Sequence, residues 1–129
     1  MAKNTPQHLT QLRNSLLSLH KTLLDREQAA YERVNGPARG GQLLQLVISH
    51  EQFAWLRSIS AMVVRIDEAL DEPESISSET ARKLVDEIRA LLDPSETGSV
   101  FQRNYYAAIQ SDPTVAVKHG ELIRDLSAK

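Results

Sequence analysis

Leu9, Leu12, Leu16, Leu19 and Leu23 follow one another at spacings of three and four, and Leu17, Leu24, Ala30, Tyr31 and Val34 widen the stripe. Positions so spaced share one face of an amphipathic α-helix. Thr5 is a candidate N-cap, with Pro6 at the first helical position, where a missing N–H loses no bond. Asn35-Gly36 can adopt the left-handed backbone that ends a helix, and Pro37 follows as a further stop. A helix from Pro6 to Val34 would be about 43 Å long at 1.5 Å per residue, more than the width of a compact domain of this size. The pattern therefore predicts an elongated molecule.

The next apolar run, Gln42 to Ile48, carries Leu43, Leu44, Leu46, Val47 and Ile48 after the turn Pro37-Ala38-Arg39-Gly40-Gly41. Its length fits a buried strand or a short helix, and the absence of a second strand candidate to pair with it selects the helix. Ser49 followed three residues later by Gln52 resembles a capping box, which would open a new helix at His50 and carry it to about Asp71. Phe53, Leu56, Ile59, Val63, Ile66 and Leu70 form its stripe, flanked by Trp55, Met62 and Ala69, an apolar face wide enough for a central helix. After the acidic turn Asp71 to Ser75, Ser77 or Ser78 caps a helix with Ala81, Leu84, Val85, Ile88, Leu91 and Leu92 on one face, and Ile76 stands where a hydrophobic staple forms. Asp93-Pro94 ends that helix, and another is expected from about Glu96 to Gln110 with Val100, Phe101, Tyr105, Ala108 and Ile109 on one side. Asp112-Pro113 opens the last, whose apolar face holds Val115, Ala116, His119, Leu122, Ile123 and Leu126. The expected fold class is all-α: an elongated bundle of about five to six helices with a long N-terminal helix, in a single domain over residues 1–129.

Composition narrows the chemistry. With 129 residues and 41% hydrophobic content the chain buries a core without metal or disulfide, and it is too apolar to remain disordered. The absence of cysteine excludes thiol catalysis, disulfide scaffolds and thiolate metal sites. Apolar runs are only a few residues long, so neither a secretory segment nor a membrane span is expected, and the default location is cytoplasmic. The net charge of -2 conceals a division. Residues 1–39 hold six Lys or Arg against three Asp or Glu, whereas residues 51–98 hold five against eleven. Such asymmetry suits complementary packing within the chain, antiparallel self-association or a basic partner. Arg103, Lys118 and Arg124 are too few for a helix-turn-helix to grip phosphates, so no nucleic acid is expected.

Gln42-Leu43-Leu44-Gln45-Leu46, then Gln52-Phe53-Ala54-Trp55-Leu56-Arg57-Ser58-Ile59-Ser60 and Val63-Val64-Arg65-Ile66-Asp67, resemble a pattern in small uncharacterised helical proteins of bacteria. The resemblance covers about a fifth of the chain directly and extends more weakly along most of it. It implies an all-helical, stand-alone bacterial domain and carries no activity, cofactor or catalytic residue onto these positions.

Residue by residue, catalytic signatures are missing. His8, His20, His50 and His119 have no ligand partner at helical spacing, and His50-Glu51 has Ala54 where a zinc-protease motif needs its second histidine. Arg39-Gly40-Gly41 lacks the Lys-Ser/Thr ending of a phosphate loop and follows a helix. Asp67-Glu68 and Asp71-Glu72 read as solvated charge. Gly120, inside the last helix, suggests close approach to another helix, or else a pocket beside His119, where a single axial histidine would be enough to ligate a haem. Trp55 reads as core, and one of Tyr105 and Tyr106 must point outward. The sequence is thus read as a non-enzymatic protein-interaction or regulatory module, a homo-oligomer or the binder of a protein partner. Leucines of a first helix longer than its bundle would be covered by that partner, and no cofactor or metal is expected. The competing reading is a ligand-binding or catalytic bundle with a pocket among His50, Trp55, Arg57, Tyr105 and His119. Phe53 and Tyr106 complete the candidate interface residues.

Overall fold

The computed structural model describes residues 5–38 and 40–127, the side chain of Ile48 excepted. Arg39, within the expected turn, lies outside the described residues. Seven α-helices and no strand occur among them: α1 Thr5–Asn35, α2 Gly41–Ser49, α3 Glu51–Ala54, α4 Arg57–Leu70, α5 Ser78–Leu91, α6 Val100–Ser111 and α7 Pro113–Ser127, with a 3-10 turn at Pro73–Ser75. The all-α architecture with a long first helix follows the hydrophobic pattern. Helix α1 lies between α4 and α7, and α5 closes the far side against the same two helices.

The α1 stripe is the centre of the core. Leu9, Leu12, Leu16, Leu19 and Leu23 are fully buried within the chain's own fold, so they are not left over for a partner as expected. Polar side chains on either edge of the stripe fix its neighbours. Arg13 pairs with Asp67, His20 Nε2 is hydrogen-bonded to Ser60 Oγ at 3.2 Å, and Gln52 Nε2 donates to the Glu27 carboxylate at 3.2 Å. Positions 13, 20 and 27 are seven residues apart, and their partners descend as they ascend. This is the flanking register of two antiparallel helices packed along a heptad seam. On the other edge His8 Nε2 donates to the Asp125 carbonyl at 2.8 Å and Lys118 Nζ to Ser18 Oγ at 2.6 Å, which makes α7 antiparallel too, and Arg26 Nη2 donates to Ser111 Oγ at the end of α6 at 2.8 Å. Arg65–Glu87 ties α4 to α5, and Arg89 Nη2 donates to the Leu126 carbonyl at 3.1 Å between α5 and α7. The Arg13–Asp67 pair shows the basic first helix meeting the acidic middle within one chain.

Several boundaries differ from those the sequence suggests, each for a local reason. The helix expected from His50 to Asp71 is broken at Trp55-Leu56, which accounts for the seventh helix. Phe53, Trp55 and Leu56 are all buried, but Phe53 and Trp55 would lie about 200° apart on a regular α-helix. Three-residue bonds, Leu56 N–H to the Phe53 carbonyl and Ile59 N–H to the Leu56 carbonyl, both 3.1 Å, mark the break, with Trp55 and Leu56 joining the core around α1 and Phe53 buried beside Tyr31 and His50. The cap of α3 is His50 rather than Ser49: His50 Nδ1 accepts from the Gln52 N–H at 3.0 Å, while Ser49 Oγ turns back to the Gln45 carbonyl. Helix α6 begins at Val100, not near Glu96, because Ser99 and Gln102 form a reciprocal capping box. Gly98 leaves room for it, since a Cβ there would collide with the Gln102 amide. Gly36, with φ +84°, ends α1 as the Asn-Gly pair predicts, and Ser77 caps α5 through the Thr80 N–H at 3.0 Å.

Gly120 makes no close helix approach, contrary to expectation. It is exposed, and a Cβ placed there meets nothing within 4 Å. Gly120→Ala therefore raises stability by about 1 kcal/mol, through lower backbone entropy in the unfolded chain. Thermal unfolding should show a rise of roughly 3–5 °C; a fall would mean that the α7 backbone is constrained there.

Candidate functional site

The capping box at Ser99 starts α6 so that Phe101 and Tyr105, four residues apart, enter the core together. A chain of aromatic rings results: Trp55 to Phe101 at 5.4 Å, Phe101 to Tyr105 at 5.4 Å and Tyr105 to His119 of α7 at 5.3 Å between centroids. Tyr105 is fully buried, and its hydroxyl lies 2.8 Å from His119 Nδ1. Burial pushes the phenol far above its usual pKa, so Tyr105 stays neutral and its O–H shares one hydrogen bond with Nδ1, donating when Nδ1 is bare and accepting when Nδ1 carries the ring hydrogen. Burial also lowers the His119 pKa, an effect that the charge of Asp93 partly opposes.

The half-buried His119 ring forms part of an open groove of about 590 Å³ between α5 and α7, lined also by Asp86, Arg89, Leu92, Asp93 and Ile123. Arg89 is held there by the Leu126 carbonyl and by Asp86 at 3.6 Å. Among the described residues, no serine, threonine or second histidine lines the groove. Its polar side chains are one imidazole, the Asp86 and Asp93 carboxylates and the Arg89 guanidinium.

The residues expected to share a pocket are divided by the fold. Trp55, Tyr105 and His119 are linked through Phe101, a connection that spacing alone does not reveal. His50 joins a second aromatic group, 5.4 Å from Tyr31 and 6.1 Å from Phe53. Arg57 is exposed at the start of α4, and Tyr106 is half-buried beside its buried neighbour. Among the described residues, no group of three or more metal-ligating side chains is placed to hold an ion, and no helix is long and apolar enough to cross a membrane.

Comparisons with protein-family models, with curated proteins and with solved structures find no match for this chain. Function is therefore read from the side chains alone.

The least expected surface is α2. Its sequence, GQLLQLVIS, is more apolar than that of any longer helix, yet none of its described side chains enters the core. Leu44 is 60% exposed, and Leu43, Leu46 and Val47 are only half-buried. The run forms the short helix expected of it and is largely uncovered, because α2 packs chiefly on the four-residue α3. Val34, at the end of α1, adds a side chain that is 83% exposed. Ala38, at the α1 side of the connection, is held by hydrogen bonds. Glu32 accepts from the Ala38 N–H at 2.9 Å and Gln28 Nε2 donates to the Ala38 carbonyl at 3.3 Å, and Ala38 is fully buried.

Proposed function

We propose that this chain is a non-enzymatic interaction module that recognises another protein through α2. The uncovered apolar face of that helix carries the reading. Burying a leucine stabilises by about 1.5–3 kcal/mol, so four half-exposed aliphatic side chains on one charge-free helix favour association. An amphipathic helix laid against a partner's apolar surface is an established mode of recognition.

Leu44→Glu tests the reading. Leu44 makes no core contact, so the thermal midpoint should stay within about 2 °C of the parent while partner affinity falls at least tenfold. Affinity capture from the source cell with both proteins, followed by direct binding measurement, decides between the outcomes. A partner held equally by both, or no partner together with no self-association, would remove α2 as the recognition element.

A second reading, a small-molecule site, is favoured by one observation: the half-buried His119 imidazole in the groove of about 590 Å³. A ligand there would perturb the His119 ring resonances, and native mass spectrometry of freshly purified protein would reveal it.

A further inference from the structure

We infer that the partner of α2 is a second copy of this chain, paired antiparallel through the same helix; the inference rests on the interaction reading above. Residues 40–50 contain no Lys, Arg, Asp or Glu, so two α2 faces meet without like charges opposed. The same absence argues against a membrane surface, which interfacial helices engage with Lys and Arg on the polar face; that of α2 holds Gln42, Gln45 and Ser49. With a net charge of only -2, two copies repel each other weakly.

Electrostatics at the helix ends sets the direction. The N-terminus of α2 is capped by Gly40, which supplies no side-chain acceptor, and its first N–H groups carry the positive end of the helix dipole. Glu51, exposed, follows the C-terminal end two residues beyond Ser49. In an antiparallel pair the Glu51 carboxylate of each copy lies beside the uncapped N-terminus of the other. A parallel pair would instead set Glu51 against Glu51. Antiparallel pairing about the middle of the apolar face brings Leu44 of each copy opposite Val47 of the other.

Nine residues of helix, about 13 Å, bury less than the roughly 800 Å² per partner of a standard interface, even with Val34 at the margin. The dimer should therefore be weak, with a Kd in the tens of micromolar.

Sedimentation equilibrium over about 1–200 μM provides the test. The wild-type protein should pass from monomer to dimer, and Leu44→Glu and Val47→Lys should each shift that transition at least tenfold higher. Mixed in equal amounts, the two variants should pair with each other, because the antiparallel register sets the carboxylate introduced in one against the ammonium group introduced in the other and leaves one Leu44–Val47 contact intact. A wild-type protein that stays monomeric at about 200 μM would overturn the inference, as would a wild-type dimer whose variants fail to rescue one another. If the protein is monomeric but Leu44→Glu still loses a different protein partner, self-pairing falls and the interaction reading survives; loss of neither means that both fall.

Discussion

Leu16→Ala should destabilise the fold by about 3–4 kcal/mol, the range seen when a fully buried leucine is removed and its cavity only partly collapses. Leu16 is the middle residue of the five-leucine stripe, on the face of α1 between the edges that engage α4 and α7. Its loss therefore weakens the packing of the central helix rather than a peripheral contact. The same truncation one residue later gives the control. Leu17 is 40% exposed, so Leu17→Ala should cost less than about 1 kcal/mol. Urea unfolding of both variants separates the cases: Leu16→Ala should lower the midpoint strongly and Leu17→Ala barely. Equal losses would mean that α1 does not present this face to the core.

The next largest effect belongs to the Tyr105–His119 pair. Tyr105→Phe removes the hydroxyl hydrogen-bonded to His119 Nδ1 and should cost about 1–2 kcal/mol, less than for a wholly enclosed bond because water reaches the half-exposed imidazole. It should also change the response to acid. His119 carries its ordinary pKa of 6.5 when unfolded and a lower one when folded, because burial disfavours the imidazolium more than Asp93 favours it. The unfolded chain therefore binds more protons between those two values. The stabilisation from neutral His119 is complete above the ordinary pKa of 6.5 and is lost as the pH falls through the folded pKa. His20, lowered by burial, acts in the same direction. A hydroxyl that donates to Nδ1 favours the neutral ring, and in that tautomer Tyr105→Phe should raise the His119 pKa toward its ordinary value and flatten the acid dependence. Histidine ring resonances followed against pH, with denaturation at about pH 8 and about pH 5.5, on either side of the ordinary histidine range, check both parts. An unchanged His119 titration in the variant would show that the hydroxyl does not donate to Nδ1.

Much of the backbone was legible in the sequence because helix ends depend on neighbours in the chain. Pro6 in the first turn of α1, Asn35-Gly36 at its end, Ser77 before α5 and Asp112-Pro113 before α7 all act where their own chemistry places them. The capping box at Ser99 was equally local and its Ser-x-x-Gln spacing was available to find it. The tightened turn at Trp55-Leu56 was not, because Trp55 and Leu56 meet the core around α1 while Phe53 packs beside Tyr31 and His50, surroundings that only the assembled helices define. The site divided in the same way. Trp55 was readable as core, and Tyr105-Tyr106 as one inward and one outward-leaning ring, from helical periodicity. The link from Tyr105 to His119 joins two helices, and nothing in the spacing of either specifies the contact.

Period and caps are properties of short stretches, so the helical class and the long leucine-striped first helix are written along the chain. Which apolar faces are covered is settled by packing between helices. Coverage depends on where neighbouring helices start and stop: α4 and α7 run beside the five leucines and bury them, but α1 extends past the bundle and carries α2 with only a short helix to lie against. The leucine stripe of the first helix is thus covered, while the apolar second helix is left largely exposed.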